Sequence, residues 1–216
     1  MDYTTLVASK ATDGSIRNWV NNDSFSATTI LSEAEDFIYR RLRVREMLKL
    51  TTGNMVVGQD YIDVPSDFIG SRSLFYSGTE KLAVNHTTLD AIETARTYDT
   101  SGNISQGKPT QFYIDADKAY FPTAPDQTYA YRWRYYCQPE ALSGTNTTNF
   151  LTNFSPRLLR CVCLAMANEF LKNDGDKLYW LRLAEGEIEV LHKADDEVRW
   201  DLDVSVVVTC YALFAD

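Results

Sequence analysis

The chain has 216 residues, 44% hydrophobic and 12% aromatic, with six prolines and ten glycines, a composition that supports a core and excludes wholesale disorder. Its net charge of −9 is the wrong sign for gripping nucleic acid, which calls for clustered Lys and Arg. No apolar run reaches the roughly 20 residues of a membrane helix, and the opening MDYTTLVASK lacks a basic leader followed by an apolar stretch, so neither membrane contact nor secretion is expected and the protein is expected to fold in a cytoplasm.

The first segment, YTTLVASKATDGSIRNWV, predicts one or two short helices broken at Asp13-Gly14-Ser15. Ser26 then caps a longer helix, with Phe25 placed to staple onto Ile30. Ile30, Ala34, Phe37, Ile38, Arg41 and Leu42 recur at three and four, which carries that helix to about Glu46. Its end, RRLRVRE, is the one dense basic patch. Arg40, Arg41, Arg43 and Arg45 read either as ordinary pairing on a helix surface or as contacts to an acidic neighbouring subunit or partner.

From about residue 48 the period changes. LKLTTGNMVVGQDYIDV reads as two strands with a turn near Gly58-Gln59-Asp60. Pro65 ends the second, and Asp67 can bond nearby backbone to set a turn. RSLFY is a third strand. TTLDAIETART is a short helix capped by Thr87 or Thr88, and DTSGNISQGKP is a loop. TQFYID and KAYFP form a hairpin about Asp115-Ala116-Asp117. In TYAYRWRYY, Tyr129, Tyr131, Trp133 and Tyr135 share one face, with Ala130, Arg132 and Arg134 on the other. Such a stripe is either a packed sheet face with a solvated back or a platform for bases or sugars.

After a polar loop, Ser155 as cap and Pro156 at the first position start a helix whose stripe is Leu159, Val162, Met166 and Phe170. It ends at KNDGD, where Gly175 suits a left-handed cap and Asp176 caps the next helix, making an antiparallel pair. That last helix is predicted from about Lys177 to Val198, with an acidic outer surface that includes Glu185, Glu187 and Glu189. Beyond Trp200, Leu202, Val204, Val206 and Val208 alternate with polar residues as in an extended terminal arm. Such an arm either pairs with the chain's own strands or adds to another protein.

The expected fold is α+β. Residues 1–47 and 152–200 form a helical bundle, 48–137 a β-rich insertion, 138–151 a loop and 201–216 an extended C-terminal arm. Little in it reads as catalytic. Cys161 and Cys163 stand about 200° apart on a helix and cannot bridge; with Cys137 and Cys210 they read as apolar thiols without zinc-ligand spacing. His86 and His192 have no nucleophile in a recognisable motif, and no HExxH, phosphate loop or GxGxxG is present. Acidic pairs such as Glu33 and Glu35 fit solvated helix faces better than a hydrolase cleft. No cofactor and no metal is expected.

Three stretches carry a resemblance. RRLRVREM closes the long early helix, YIDVPSDFIGSRSL forms a strand–Pro–turn–strand element, and GKPTQFYID with AYFPTAPDQTYAYRWRYY forms a Gly-x-Pro step, a hairpin and a final aromatic strand. In this order, and with the closing helix pair, residues 3–198 resemble the head-to-tail adaptor proteins of tailed bacteriophages, also called head-completion or connector proteins. The resemblance implies a non-enzymatic virion protein, made in the bacterial host cytoplasm. It implies a ring, usually of twelve copies, between the portal protein and the tail or nozzle proteins, with DNA passing through the centre unbound. On that reading Glu185, Glu187 and Glu189 are candidates to line the channel. Leu202, Val204, Val206 and Val208 and the four arginines are candidates to bind partners. The alternative is a β-rich module for a glycan or peptide.

Overall fold

The computed structural model describes residues 1–78 and 82–212, with side chains described as far as residue 196. In chain order the elements are α1 (Tyr3–Leu6), α2 (Ile16–Trp19), α3 (Ala27–Arg41), β1 (Leu48–Met55), β2 (Tyr61–Asp63), β3 (Phe68–Tyr76) and β4 (Ala83–His86). They continue with α4 (Leu89–Ala95), β5 (Gln111–Asp115), β6 (Lys118–Tyr120), β7 (Tyr129–Cys137), α5 (Phe150–Phe154), α6 (Pro156–Phe170) and α7 (Asp174–Ala212). The chain divides into two compact units, Met47–Gln138 and Met1–Glu46 with Pro139–Asp216.

In the β unit a seven-stranded sheet of order β1-β7-β3-β4-β5-β6-β2 curls into a nearly closed, barrel-like wall. The pairings are antiparallel except β4 with β5. The inner face holds Met55, Leu74, Phe112, Phe121, Trp133 and Tyr135, all essentially solvent-free. Aromatic side chains fill so curved an interior because each removes a large apolar area from water. β7 lies between β1 and β3, and its alternation decides which residues face that core.

The proline kink of residues 61–74 has its explanation in this order. β2 sits at one edge of the sheet and β3 is the third strand from the other edge, so the chain must leave one neighbourhood and enter another within four residues. Phe68 N–H donates to Pro65 C=O at 3.0 Å, closing the turn. The Asp67 side chain reaches outward from that turn, accepting from Lys49 Nζ on β1 at 2.6 Å and from the Tyr135 hydroxyl on β7 at 2.8 Å. The Asp67 carbonyl takes Gln138 N–H at 2.7 Å.

In the other unit α3, α6 and α7 supply the core, through Ile30, Leu31, Ala34 and Ile38, through Leu158, Leu159, Val162 and Cys163, and through Ala184 and Ile188. Ser26 Oγ accepts Thr29 N–H as the α3 cap. Thr88 caps α4 in the same way.

Several expectations are corrected. The architecture is mixed α/β dominated by the curled sheet, not an N- and C-terminal helical bundle carrying an insertion. Only α3, α6 and α7 exceed seven residues among the described helices, and they are unequal, at 15, 15 and 39 residues. No extended arm follows residue 200: α7 runs on to Ala212. Between Gly186 and Ala212 neither Gly nor Pro occurs, so nothing stops the helix, and the short period-two pattern at 202–208 is overridden. Residues 213–216 lie outside the described residues. α3 ends at Arg41 rather than near Glu46, because Leu42 is extended and Arg43 donates to the freed carbonyls of Tyr39 and Leu42 at 2.7 and 2.6 Å. The left-handed residue after α6 is Lys172 (φ 57°), and Gly175 and Asp176 lie inside α7. β1 and β2 do not pair with each other. β4 and the one-turn α5, fastened by an Asn149–Thr152 capping box, were not anticipated.

Candidate interaction surfaces

The arginine cluster is built on the end of α3. Arg40 pairs one turn back with Asp36 and remains largely exposed. Arg41 lies with its guanidinium 3.7 Å above the Phe37 ring. Arg43 turns inward, its side chain capping the helix and its backbone N–H donating to His192 Nε2 at 3.2 Å. Arg45 donates its backbone N–H to Asp195 at 3.1 Å and its Nε to Glu46 at 3.0 Å. Arg40, Arg41 and Arg45 therefore still offer charge to solvent, whereas Arg43 is spent on the fold.

The three glutamates separate around α7. Glu185 and Glu189 stand one turn apart on one exposed strip. Glu187 is half a turn away, with Oε1 3.2 Å from Arg157 Nε. Leu202, Val204, Val206 and Val208 fall within the helical stretch whose side chains are not described.

The aromatic stripe of β7 splits in the same manner. Trp133 and Tyr135 are core, with 0% and 1% exposure. Trp133 Nε1 donates to Ser71 Oγ at 2.9 Å. Burial together with its bond to Asp67 pushes the Tyr135 hydroxyl up to about 12. Tyr129 and Tyr131 are half-buried. The stripe keeps exposed ring surface only at Tyr129 and Tyr131.

The back of β7 offers more. Register sets Leu50 beside Arg134 and Thr52 beside Arg132 on one flank, and Ser73 beside Arg134 and Phe75 beside Arg132 on the other. Leu50 and Phe75 are 44% and 40% exposed. With the two arginines they line a depression of about 420 Å³. Arg132 and Arg134 have no ion-pair, hydrogen-bond or ring partner among the described residues. The alternation of TYAYRWRYY already marked both as solvent-facing. What the sequence could not place beside them were Leu50 and Phe75, which reach them only through the β1–β7–β3 pairing.

Glu35 is not on a solvated face. It is 3% exposed, and its carboxylate accepts Leu142 N–H at 3.2 Å and Asn149 Nδ2 at 2.6 Å. Burial raises its pKa; hydrogen bonds from Leu142, Asn149 and Tyr39 oppose without cancelling. Both neighbours are structural, so the geometry is that of a tether for the 139–149 loop. Glu33 is exposed and not part of it. Cys161 and Cys163 are buried thiols, both pushed upward by desolvation. Among the described residues no cluster of His, Cys, Asp and Glu has the makings of a metal site, and no helix is long and apolar enough to cross a membrane.

A family model described as SU10 adaptor protein matches residues 1–208 of the chain. No curated protein matches it.

Proposed function

The chain belongs to the SU10 adaptor protein family of phage head-tail structural proteins, and on that premise we propose that it forms a non-enzymatic ring joining the portal to the tail. Copies sit at the head-tail interface of the virion as a dodecamer. Portal protein contacts one side and tail or nozzle proteins the other, and DNA passes through the middle without specific binding. The observation that carries this reading is the extent of the match: it takes in both compact units and reaches well into α7. The acidic balance of the chain supports a channel that repels phosphate instead of holding it. Arg40 and Arg41, exposed in the last turn of α3, are the cations offered to an acidic partner. The subunit is made in the host cytoplasm and becomes part of the particle on assembly.

The test is a phage whose copy of this gene is disrupted. DNA-filled heads without tails are expected, and adding the purified protein restores tail attachment in extracts. Infectious tailed particles made without the protein would overturn the reading.

A further inference from the structure

The charges of the chain are unevenly divided. The helical unit has 20 acidic and 13 basic residues and the β unit 10 and 8, so most of the negative excess belongs to the helices. Within them α7 holds ten acidic residues against four basic ones, which makes it the main source of that excess. Glu185 and Glu189 on its exposed strip have no ion-pair partner among the described residues, and Leu178, 55% exposed and two turns before Glu185, brings apolar surface to the same side of the helix.

The outward face of β1–β7–β3 is the counterpart. It presents Arg132 and Arg134, unpaired among the described residues, between Leu50 and Phe75. Arginine mixed with exposed apolar and aromatic side chains is the composition of the centre of a protein interface. A phosphate-binding surface needs no leucine, and it needs more than two cations to hold a duplex at physiological salt. The spacings also agree. Residues two apart on a strand advance about 6.8 Å, and residues four apart on a helix advance about 6 Å, so one pair of guanidinium groups meets one pair of carboxylates along parallel axes. Forked guanidinium donors suit carboxylates.

We propose that the outward face of β1–β7–β3 in one subunit docks against the Glu185–Glu189 strip of α7 in the next copy of this chain. The contact joins two different patches, so it is heterologous and propagates from copy to copy until it closes into a ring. The assignment rests on the ring reading given above and adds the surfaces by which the ring is made.

A charge exchange tests it. Arg132→Glu with Arg134→Glu makes both patches acidic, and Glu185→Lys with Glu189→Lys makes both basic. All four positions are exposed, and circular dichroism checks that each chain stays folded. Ring formation on purified portal rings from the same phage is followed by sedimentation velocity and electron microscopy. Each double variant alone is expected to need at least about 100-fold more protein than wild type to assemble, since like charges now face each other. Mixing the two variants in equal amounts restores every contact and is expected to restore rings. Rings from either variant alone at the wild-type concentration, or a mixture that stays unassembled, would overturn the assignment while leaving the adaptor reading in place. Wild-type protein that forms no ring on portal removes both. A DNA duplex that binds wild type and the glutamate-to-lysine chain but not the arginine-to-glutamate chain, with assembly unaffected in all, gives the sheet face to phosphate and ends the proposal.

Discussion

Asp67 in the β unit and Glu35 in the helical unit do related structural work under opposite physics. Each ties an irregular segment to regular structure. Asp67 does so at the edge of solvent, with an ammonium and a phenol as partners. Burial acts to raise its pKa, but the Lys49 and Tyr135 hydrogen bonds and the Lys49 charge outweigh it, and the net shift is downward. Glu35 has no cation beside it among the described residues. Desolvation dominates and its pKa is raised. The difference shows that hydrogen-bond count alone does not set the protonation of a structural carboxylate; the presence of a compensating charge does. It also mirrors how the units cohere, one by aromatic packing inside a curled sheet and the other by small and aliphatic residues between helices.

The strongest way to separate the two units is to empty the β core. Trp133→Ala removes a fully buried ring and orphans Ser71 Oγ, and it is expected to cost the β unit about 3–5 kcal/mol. Hydrogen exchange read by mass spectrometry should show faster exchange throughout β1, β3 and β7 with α3 and α6 unchanged. Loss of protection in α3 and α6 as well would mean that the units do not fold independently.

Next in size is Glu35→Ala. It leaves Leu142 N–H unsatisfied and takes from Asn149 Nδ2 its shortest contact, those to the Tyr39 hydroxyl and the Glu140 carbonyl remaining, and is expected to cost about 1–3 kcal/mol, seen as a lower denaturation midpoint and early exchange in residues 139–149. Glu35→Gln keeps an acceptor and removes the buried charge, so at neutral pH it should cost much less. A Gln variant as unstable as the Ala variant would show that the ionised form is required.

The carboxylates also predict opposite responses to acid. Glu35, with its folded pKa above the unfolded value, contributes stability that is full below the unfolded value near 4.5 and is lost as pH rises through the raised folded value. Asp67 is the reverse: its contribution is present above the unfolded value near 3.8 and is lost as pH falls through the depressed one. Mild acidification from neutral should therefore slow exchange in the 139–149 loop, and strong acid should release the 64–68 turn. Glu35→Gln should erase the first effect and leave the second.

How far the sequence reached depended on whether a decision was local. The starts of α3 and α4 were legible because Ser26 and Thr88 act on residues three positions away. The strands β1, β5, β6 and β7 were legible from alternation. What was not legible came from distant partners. β4 is four residues whose ladder is completed by β3 and β5. The ordering of β1 and β2 at opposite ends of the sheet is set by pairing, not by the turn between them. The terminal residues show the converse: the period-two pattern at 202–208 is short, no Gly or Pro stops the helix before it, and α7 continues through it. Of the candidate surfaces, the exposed arginines of α3 and β7 were visible. Their apolar neighbours were not, and Glu35 gave no sign in the sequence that it is buried.

The smallest effect concerns two serines that stand at the same nominal position before α3 and α6. Ser26 Oγ accepts Thr29 N–H at 3.3 Å; Ser155 Oγ caps nothing and is buried without a partner among the described residues. Pro156 at the first position of α6 already removes one orphan N–H. Ser26→Ala is thus expected to lose about 1 kcal/mol. Ser155→Ala removes an unsatisfied hydroxyl from an apolar site and should be neutral or stabilising by up to about 1 kcal/mol. Chemical denaturation of the two variants side by side reads the contrast. Equal losses would show that Ser155 does hold a partner and that its position ahead of Pro156 serves as a cap after all.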